Sequence, residues 1–196
     1  MKLDIPAGEF AGYIFDLDGT LIDTMPLHYR AWDSAMRRAG LNVMLDEDLF
    51  YSLGGVPTRR VAQLIAQHYG LTIDVERVFH DKESLFMEIQ KDAQVIGPTM
   101  EFARAAAVTH PMAIASGGPR TVVLRSLELA GLAPLFRAVV TADDVVHGKP
   151  APDMFLLAAK LLGVEPARCL VFEDAEPGIQ AALAAGMQVV RVPSRR

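Results

Sequence analysis

Tyr13-Ile14-Phe15-Asp16-Leu17-Asp18-Gly19-Thr20-Leu21-Ile22-Asp23-Thr24 is the stretch that organises the rest of the chain. Its first three residues are apolar and read as a short buried strand. Two carboxylates one residue apart, a glycine and a hydroxyl follow at once. Four more apolar runs lie further on: Met112–Ala115, Ala138–Val140, Leu170–Phe172 and Val189–Val192. Such runs, separated by helical stretches, predict a parallel sheet covered on both faces. Pro119 can open one helix through Leu129, and Pro152 another through Leu162. Ile179–Ala185 reads as a short alanine-rich helix. Gly40, Gly70, Gly131, Gly163 and Gly186 each follow a plausible helix, where glycine suits the left-handed closing position.

The segment from about Asp23 to Gln94 has no strand pattern. Tyr29, Trp32, Ala35 and Met36 share one helix face; Val61, Leu64, Ile65, His68 and Tyr69 share another. On this reading His68 belongs to the core. The fold expected is α/β: a Rossmann-like doubly wound parallel sheet over residues 1–22 and 95–196, with a small α-helical cap inserted at 23–94. The chain returns from the cap through Ile96-Gly97-Pro98.

Composition narrows the function classes. The 196 residues are 51% hydrophobic and 22% charged, which excludes a disordered chain. Nineteen basic against twenty-four acidic residues give a net charge of −5, without the basic footprint of a nucleic-acid binder. No apolar run reaches the roughly 18–20 residues of a membrane span. Met1–Phe10 carries Asp4 and Glu9 and lacks the apolar stretch of a signal peptide. Cys169 is the only cysteine, so no internal disulfide can form and a cytoplasmic setting is expected. A monomer is the default expectation.

In an open α/β sheet, ligands sit beyond the carboxyl ends of the strands. The polar residues that follow each run are therefore the candidates. The first run delivers Asp16, Asp18, Gly19 and Thr20, and the second Ser116, Gly117 and Gly118. The third leads to Asp143, Asp144 and then Lys149, and the fourth to Glu173 and Asp174. Carboxylates gathered at one edge stay ionised only if a cation joins them. Oxygen donors without a Cys or His cluster suit Mg²⁺. Ser116 and the glycine amides after it sit at a helix start, a ready anion site. Lys149 can act as a point charge on phosphate. The set suits phosphoryl transfer through an aspartyl-phosphate.

These motifs, in this order, resemble the four signatures of the haloacid dehalogenase superfamily. Phe15 to Thr24 is similar to the first, Ser116 to the second, and Gly148-Lys149-Pro150-Ala151-Pro152-Asp153 to the third. Phe172-Glu173-Asp174 with the residues through Ala182 is similar to the fourth. The helical insertion resembles the small cap of the β-phosphoglucomutase-like branch, and within it the chain looks most like bacterial fructose-1-phosphate phosphatases. The resemblance implies Asp16 as the nucleophile and Asp18 as the acid and then the base. It implies Asp16, Asp174 and the Asp18 backbone carbonyl as Mg²⁺ ligands. Ser116 is implied to bond the phosphoryl oxygens and Lys149 to neutralise charge. Glu173 is implied to orient Lys149 or the metal's waters.

Weighed singly, several of these residues have plainer readings. Asp16, Asp18 and Glu173-Asp174 can cap turns and helices, Ser116 can be an N-cap, and Lys149 a solvated lysine. The full set in order reverses that. Asp143 and Asp144 read as turn or cap residues, Asp23 as a turn former, and Cys169 as an inert buried thiol. His28 sits one turn into the insertion, where the resemblance implies that it faces the site. Thr20, Gly117, His28 and Lys82 are the substrate-side candidates. Arg59, Arg60 and Lys82 are cap cations, of which a sugar phosphate needs some partner.

The function expected is a Mg²⁺-dependent phosphatase acting on a small sugar phosphate such as fructose 1-phosphate. A sugar phosphomutase of the β-phosphoglucomutase type is the alternative. In such mutases an arginine follows a Gly-Val-Ser turn of the cap. Here the stretch is Gly55-Val56-Pro57-Thr58, with Thr58 in the arginine's place and Arg59 turned about 100° away on a helix. A phospho-accepting receiver domain of signalling type shares the Asp, hydroxyl and Lys set, but it is shorter and lacks the helical insertion.

Overall fold

A computed structural model describes residues 3–54 and 56–193. Five parallel strands form the main sheet: β1 (Gly12–Phe15), β4 (Met112–Ala115), β5 (Ala138–Val140), β6 (Cys169–Glu173) and β7 (Gln188–Arg191). Their order across the sheet is β5-β4-β1-β6-β7. The chain therefore winds outward from β1 to one side, then restarts at β6 and winds to the other. The switch point lies between β1 and β6, where Phe15 pairs with Phe172. This is the doubly wound parallel sheet expected.

Side chains alternate across the sheet with period two. Phe15, Met112, Ile114, Leu170 and Phe172 face one layer, with helices α5 (Gly97–Ala106) and α6 (Arg120–Leu129). Ile14, Ala113, Ala115, Cys169 and Val171 face the other, with α7 (Asp153–Leu162) and α8 (Glu176–Ala184). The first layer is aromatic: Phe15 and Phe172 stack at 4.6 Å between centroids. The second is built largely from alanine, so α7 and α8 lie close on the sheet. The five helix-closing glycines all take left-handed backbone angles.

Four helices occupy the insertion: α1 (Met25–Arg38), α2 (Glu47–Ser52), α3 (Thr58–His68) and α4 (Val75–Ile89). Asp46 and Asp74 cap α2 and α4 by accepting the backbone N–H of Leu49 and Arg77 at 2.7 and 3.1 Å. A separate core forms from Trp32, Ala35, Met36, Phe50, Val61, Ala62, Ile65 and Ala66. His68 is exposed, contrary to the expectation. The buried stripe of α3 is 61-62-65-66, so the alanines carry it and position 68 turns to solvent. Gly55 lies outside the described residues.

Two short strands, β2 (Ile22–Asp23) and β3 (Gln94–Val95), pair antiparallel where the chain enters and leaves the insertion. Leu27, Ala31, Phe86 and Val122 form a small apolar joint between α1, α4 and α6. The Ser126 hydroxyl donates to Gln90 Oε1 at 2.9 Å beside it.

Gly178 on α8 lies against Glu173, the last residue of β6. A Cβ there would overlap the Glu173 carboxylate. Gly178→Ala should cost at least about 1–3 kcal/mol through overpacking. Gly97→Ala is the control, because nothing lies within 4 Å of a Cβ at that position. Urea unfolding of the two variants should show a lowered midpoint for the first alone; equal midpoints would contradict the packing.

Candidate active site

Backbone bonds extend the sheet one residue past each strand end. Asp16 N–H donates to Phe172 O at 3.0 Å, and Ser116 N–H to Val140 O at 2.9 Å. Glu173 O accepts from Val192 N–H at 2.8 Å. Asp16, Ser116 and Glu173 are thus held by the ladder itself, while Asp18, Lys149 and Asp174 lie in the turns that follow.

Asp16, Lys149 and Glu173 form the buried centre. Lys149 Nζ donates to Asp16 Oδ1 at 2.6 Å and to Glu173 Oε2 at 2.8 Å. Only 4% of Lys149 and 1% of Glu173 is exposed, so neither is a solvated surface charge. Burial opposes the Lys149 charge, but the two carboxylates outweigh it and hold the ammonium firmly protonated. Burial and the neighbouring Glu173 push the Asp16 carboxyl well above the ordinary range, against the pull of Lys149. Burial likewise raises Glu173.

Asp174 sits beside this centre and is pushed up to about 7, chiefly by burial and by the Asp16 charge. The Thr20 hydroxyl donates to its Oδ1 at 3.1 Å. Thr20, expected on the substrate, is fully buried and bonded to Asp174, which lines the cleft where Thr20 does not. Gly19 (φ 86°) makes that approach possible, since any side chain there would collide with Asp174.

Asp18 has a different environment. Its Oδ1 accepts from the Thr24 hydroxyl at 2.6 Å and faces His28 Nε2 at 3.4 Å, and its Oδ2 faces Ser116 Oγ at 3.5 Å. Burial alone would raise this carboxyl, but hydrogen bonds from His28 and Thr24 bring it below its ordinary value. Two neighbouring carboxylates are therefore driven in opposite directions, as acid–base work requires.

Asp16, Glu173 and Asp174 each place an oxygen within 4.8 Å of the others. These three carboxylates face one lysine, Lys149, a surplus of negative charge in a buried place. The donors are all oxygen. This fits Mg²⁺, whose charge would relieve the repulsion that now raises Asp16 and Asp174.

Above the carboxylates lies a cleft of about 880 Å³, partly open to solvent. The sheet side supplies Asp16, Asp18, Gly117, Lys149, Glu173 and Asp174, and the inserted helices supply His28, Thr58, Lys82 and Glu83. His28 stacks on Phe86 at 3.8 Å. Lys82 is only 3% exposed and donates to Glu83 Oε1 at 3.0 Å, so it is no surface cation. Arg59 points away, paired with Glu76 at 2.7 and 3.0 Å and lying over the Phe79 ring. Arg60 is exposed beside Gln63. Asp143 and Asp144 serve as caps: Asp143 accepts from Arg120 N–H, and Asp144 closes a capping box with Thr141. Cys169 is buried, its thiol pushed up to about 11.

The residues that sequence reasoning passed over are Thr24, Glu83 and Gly178. Thr24 stands six residues past Asp18, one helical turn before His28, and that spacing was the available signal. Glu83 gave none, because a charged helix residue beside a lysine reads as surface.

The profile of the haloacid dehalogenase-like hydrolases matches residues 10–186. Fructose-1-phosphate phosphatase YqaB of Escherichia coli (strain K12) is 40% identical over 184 residues, covering 94% of this chain and 97% of that protein. CbbY from Rhodobacter sphaeroides, solved in complex with phosphate, superposes with a TM-score of 0.83 at 23% identity, covering 95% of this chain and 87% of that one. A β-phosphoglucomutase from Clostridium difficile superposes with a TM-score of 0.82 at 23% identity, covering 92% and 83%. With four sequence motifs converging on one sheet edge and the match running through nearly its whole length, this chain belongs to the haloacid dehalogenase-like hydrolases, as a phosphatase of that family.

Proposed function

We propose that the protein hydrolyses a small sugar phosphate such as fructose 1-phosphate, through a phosphoryl group carried on Asp16, with Mg²⁺ as cofactor. One observation carries this reading. Asp16, held by Lys149, and an independently bonded Asp18 share the floor of one cleft roofed by helices. The E. coli relative, named for fructose 1-phosphate, supports the substrate class.

Asp16 attacks phosphorus and the sugar oxygen departs, taking a proton from Asp18. Asp18 rests ionised in the free protein, and an approaching phosphate dianion raises it toward the protonated form. After the sugar leaves, Asp18 takes a proton from water, which attacks the aspartyl-phosphate. Ser116 and the Gly117 N–H hold the phosphoryl oxygens, while Lys149 balances their charge. Asp16, Asp174 and the Asp18 backbone carbonyl would hold Mg²⁺, and Glu173 keeps Lys149 in place or orients the metal's waters. Bound there, the ion would neutralise charge on the transferred group. The remaining residues act on the substrate through the cleft and belong to a cytoplasmic monomer with no nucleic-acid or membrane partner. Among the described residues no helix is long and apolar enough to cross a membrane.

The mutase alternative needs a cation to grip a second phosphate in the cap. Thr58 lines the cleft at that position, and Arg59 is engaged with Glu76. Water, rather than a returning sugar phosphate, is then the acceptor.

Three outcomes are expected. Asp16→Asn should lower kcat by about 10³-fold or more, with the fold intact by circular dichroism. A loss below about tenfold would remove Asp16 from the nucleophile's role. EDTA should abolish turnover and Mg²⁺ restore it, with Zn²⁺ a poor replacement for an oxygen-only site. Full activity in EDTA would contradict the metal assignment. In a paired assay, free phosphate should accumulate from fructose 1-phosphate over many turnovers. Conversion of β-glucose 1-phosphate to glucose 6-phosphate should be slower, and the reverse order would establish the mutase.

A further inference from the structure

The roof of the cleft holds a buried charge whose bonding is incomplete. Glu83 on α4 is 9% exposed and lines the cleft. Its Oε1 accepts from Lys82 Nζ at 3.0 Å. Its Oε2 is buried and finds no hydrogen-bond partner among the described residues. Met25, Trp32, Phe50, Val61 and Val122 make much of the same cleft's wall apolar, and His28 is the ionisable neighbour of the pair from α1. A buried acceptor left unpaired costs roughly 1–3 kcal/mol, and more when charged. The floor residues supply nothing to it, since each is bonded within its own set.

We propose that Glu83 Oε2 is the acceptor for a hydroxyl of the substrate's sugar part. The oxygen thereby selects polyhydroxylated monophosphates and rejects a second phosphate. This deepens the sugar-phosphate reading and rests on it. A carboxylate oxygen only accepts, so it needs a donor such as a hydroxyl. A phosphate dianion brings acceptors and like charge, which a buried carboxylate repels. Lys82 aims Glu83, and in bonding to it gives up part of its own capacity to hold a distal phosphate. Sites built to hydrogen-bond a substrate hydroxyl discriminate strongly against analogues that lack it, because the buried polar group is then left unpaired.

The test compares kcat/KM for fructose 1-phosphate, phenyl phosphate and fructose 1,6-bisphosphate in the wild type, Glu83→Gln and Glu83→Asp. The second variant keeps the charge and withdraws the oxygen by one methylene, so it guards against a folding defect in the first. In the wild type, fructose 1-phosphate should be preferred over both of the others. In both variants its advantage over phenyl phosphate should fall about 10–100-fold, the loss of one charged hydrogen bond. Its advantage over the bisphosphate should narrow in Glu83→Gln alone, because only that variant removes the charge. Unchanged ratios would overturn the inference, as would an equal loss on all three substrates, which would mark Glu83 as structural. A wild type without preference for fructose 1-phosphate over phenyl phosphate would instead overturn the sugar-phosphate reading itself.

Discussion

The ammonium of Lys149, buried between Asp16 and Glu173, is the constraint on which the rest of the site depends. Its three participants come from the end of β1, the end of β6 and the segment after β5. An ion triad removed from water is costly unless its geometry is tight, and truncating one member strands the others. The sheet must therefore bring β1 and β6 side by side, and the strand order does so at the switch point. Helix α8 must then pass directly over Glu173, which leaves room only for Gly178. One charge assembly thus dictates strand adjacency, helix placement and a glycine.

The two faces of the sheet answer different demands. The aromatic layer, with Phe15, Phe102 and Phe172 in contact, fills a wide space beneath α5 and α6. The alanine layer lets α7 and α8 lie near β5, which leads to Lys149, and β6, which ends at Glu173. Large side chains there would lift those helices and open the triad to water, where the same charges would attract one another far more weakly.

The five main strands were legible because buried parallel strands announce themselves as unbroken apolar runs. The floor of the site was legible because its residues directly follow those runs. Charged side chains on the cap helices were harder. Lys82 and Glu83 each look like surface residues, and only tertiary packing turns them inward. The face of α3 was misjudged at His68 because Ala62 and Ala66, which carry the buried stripe, weigh little in a hydropathy pattern. Thr20 stands beside Asp18 in the sequence, which suggests a place on the substrate. Its hydrogen-bond partner in the structure, Asp174, lies 154 residues away and is invisible to local order. The β2–β3 pair is two residues per strand, too short to show any period.

That small ribbon has a consequence for how the molecule is assembled. Ile22 faces Val95 and Asp23 faces Gln94, so the two crossings into the insertion are neighbours. The sheet sees the intervening helices as one closed loop whose ends are already joined, and the entropy of closing such a loop grows only slowly with its length. The insertion can lengthen, shorten or be exchanged while the register of β1 on β4 and β6 stays as it is. The floor and the roof of the cleft are then joined at one small ribbon, so that a change in the roof need not disturb the strand ends beneath it.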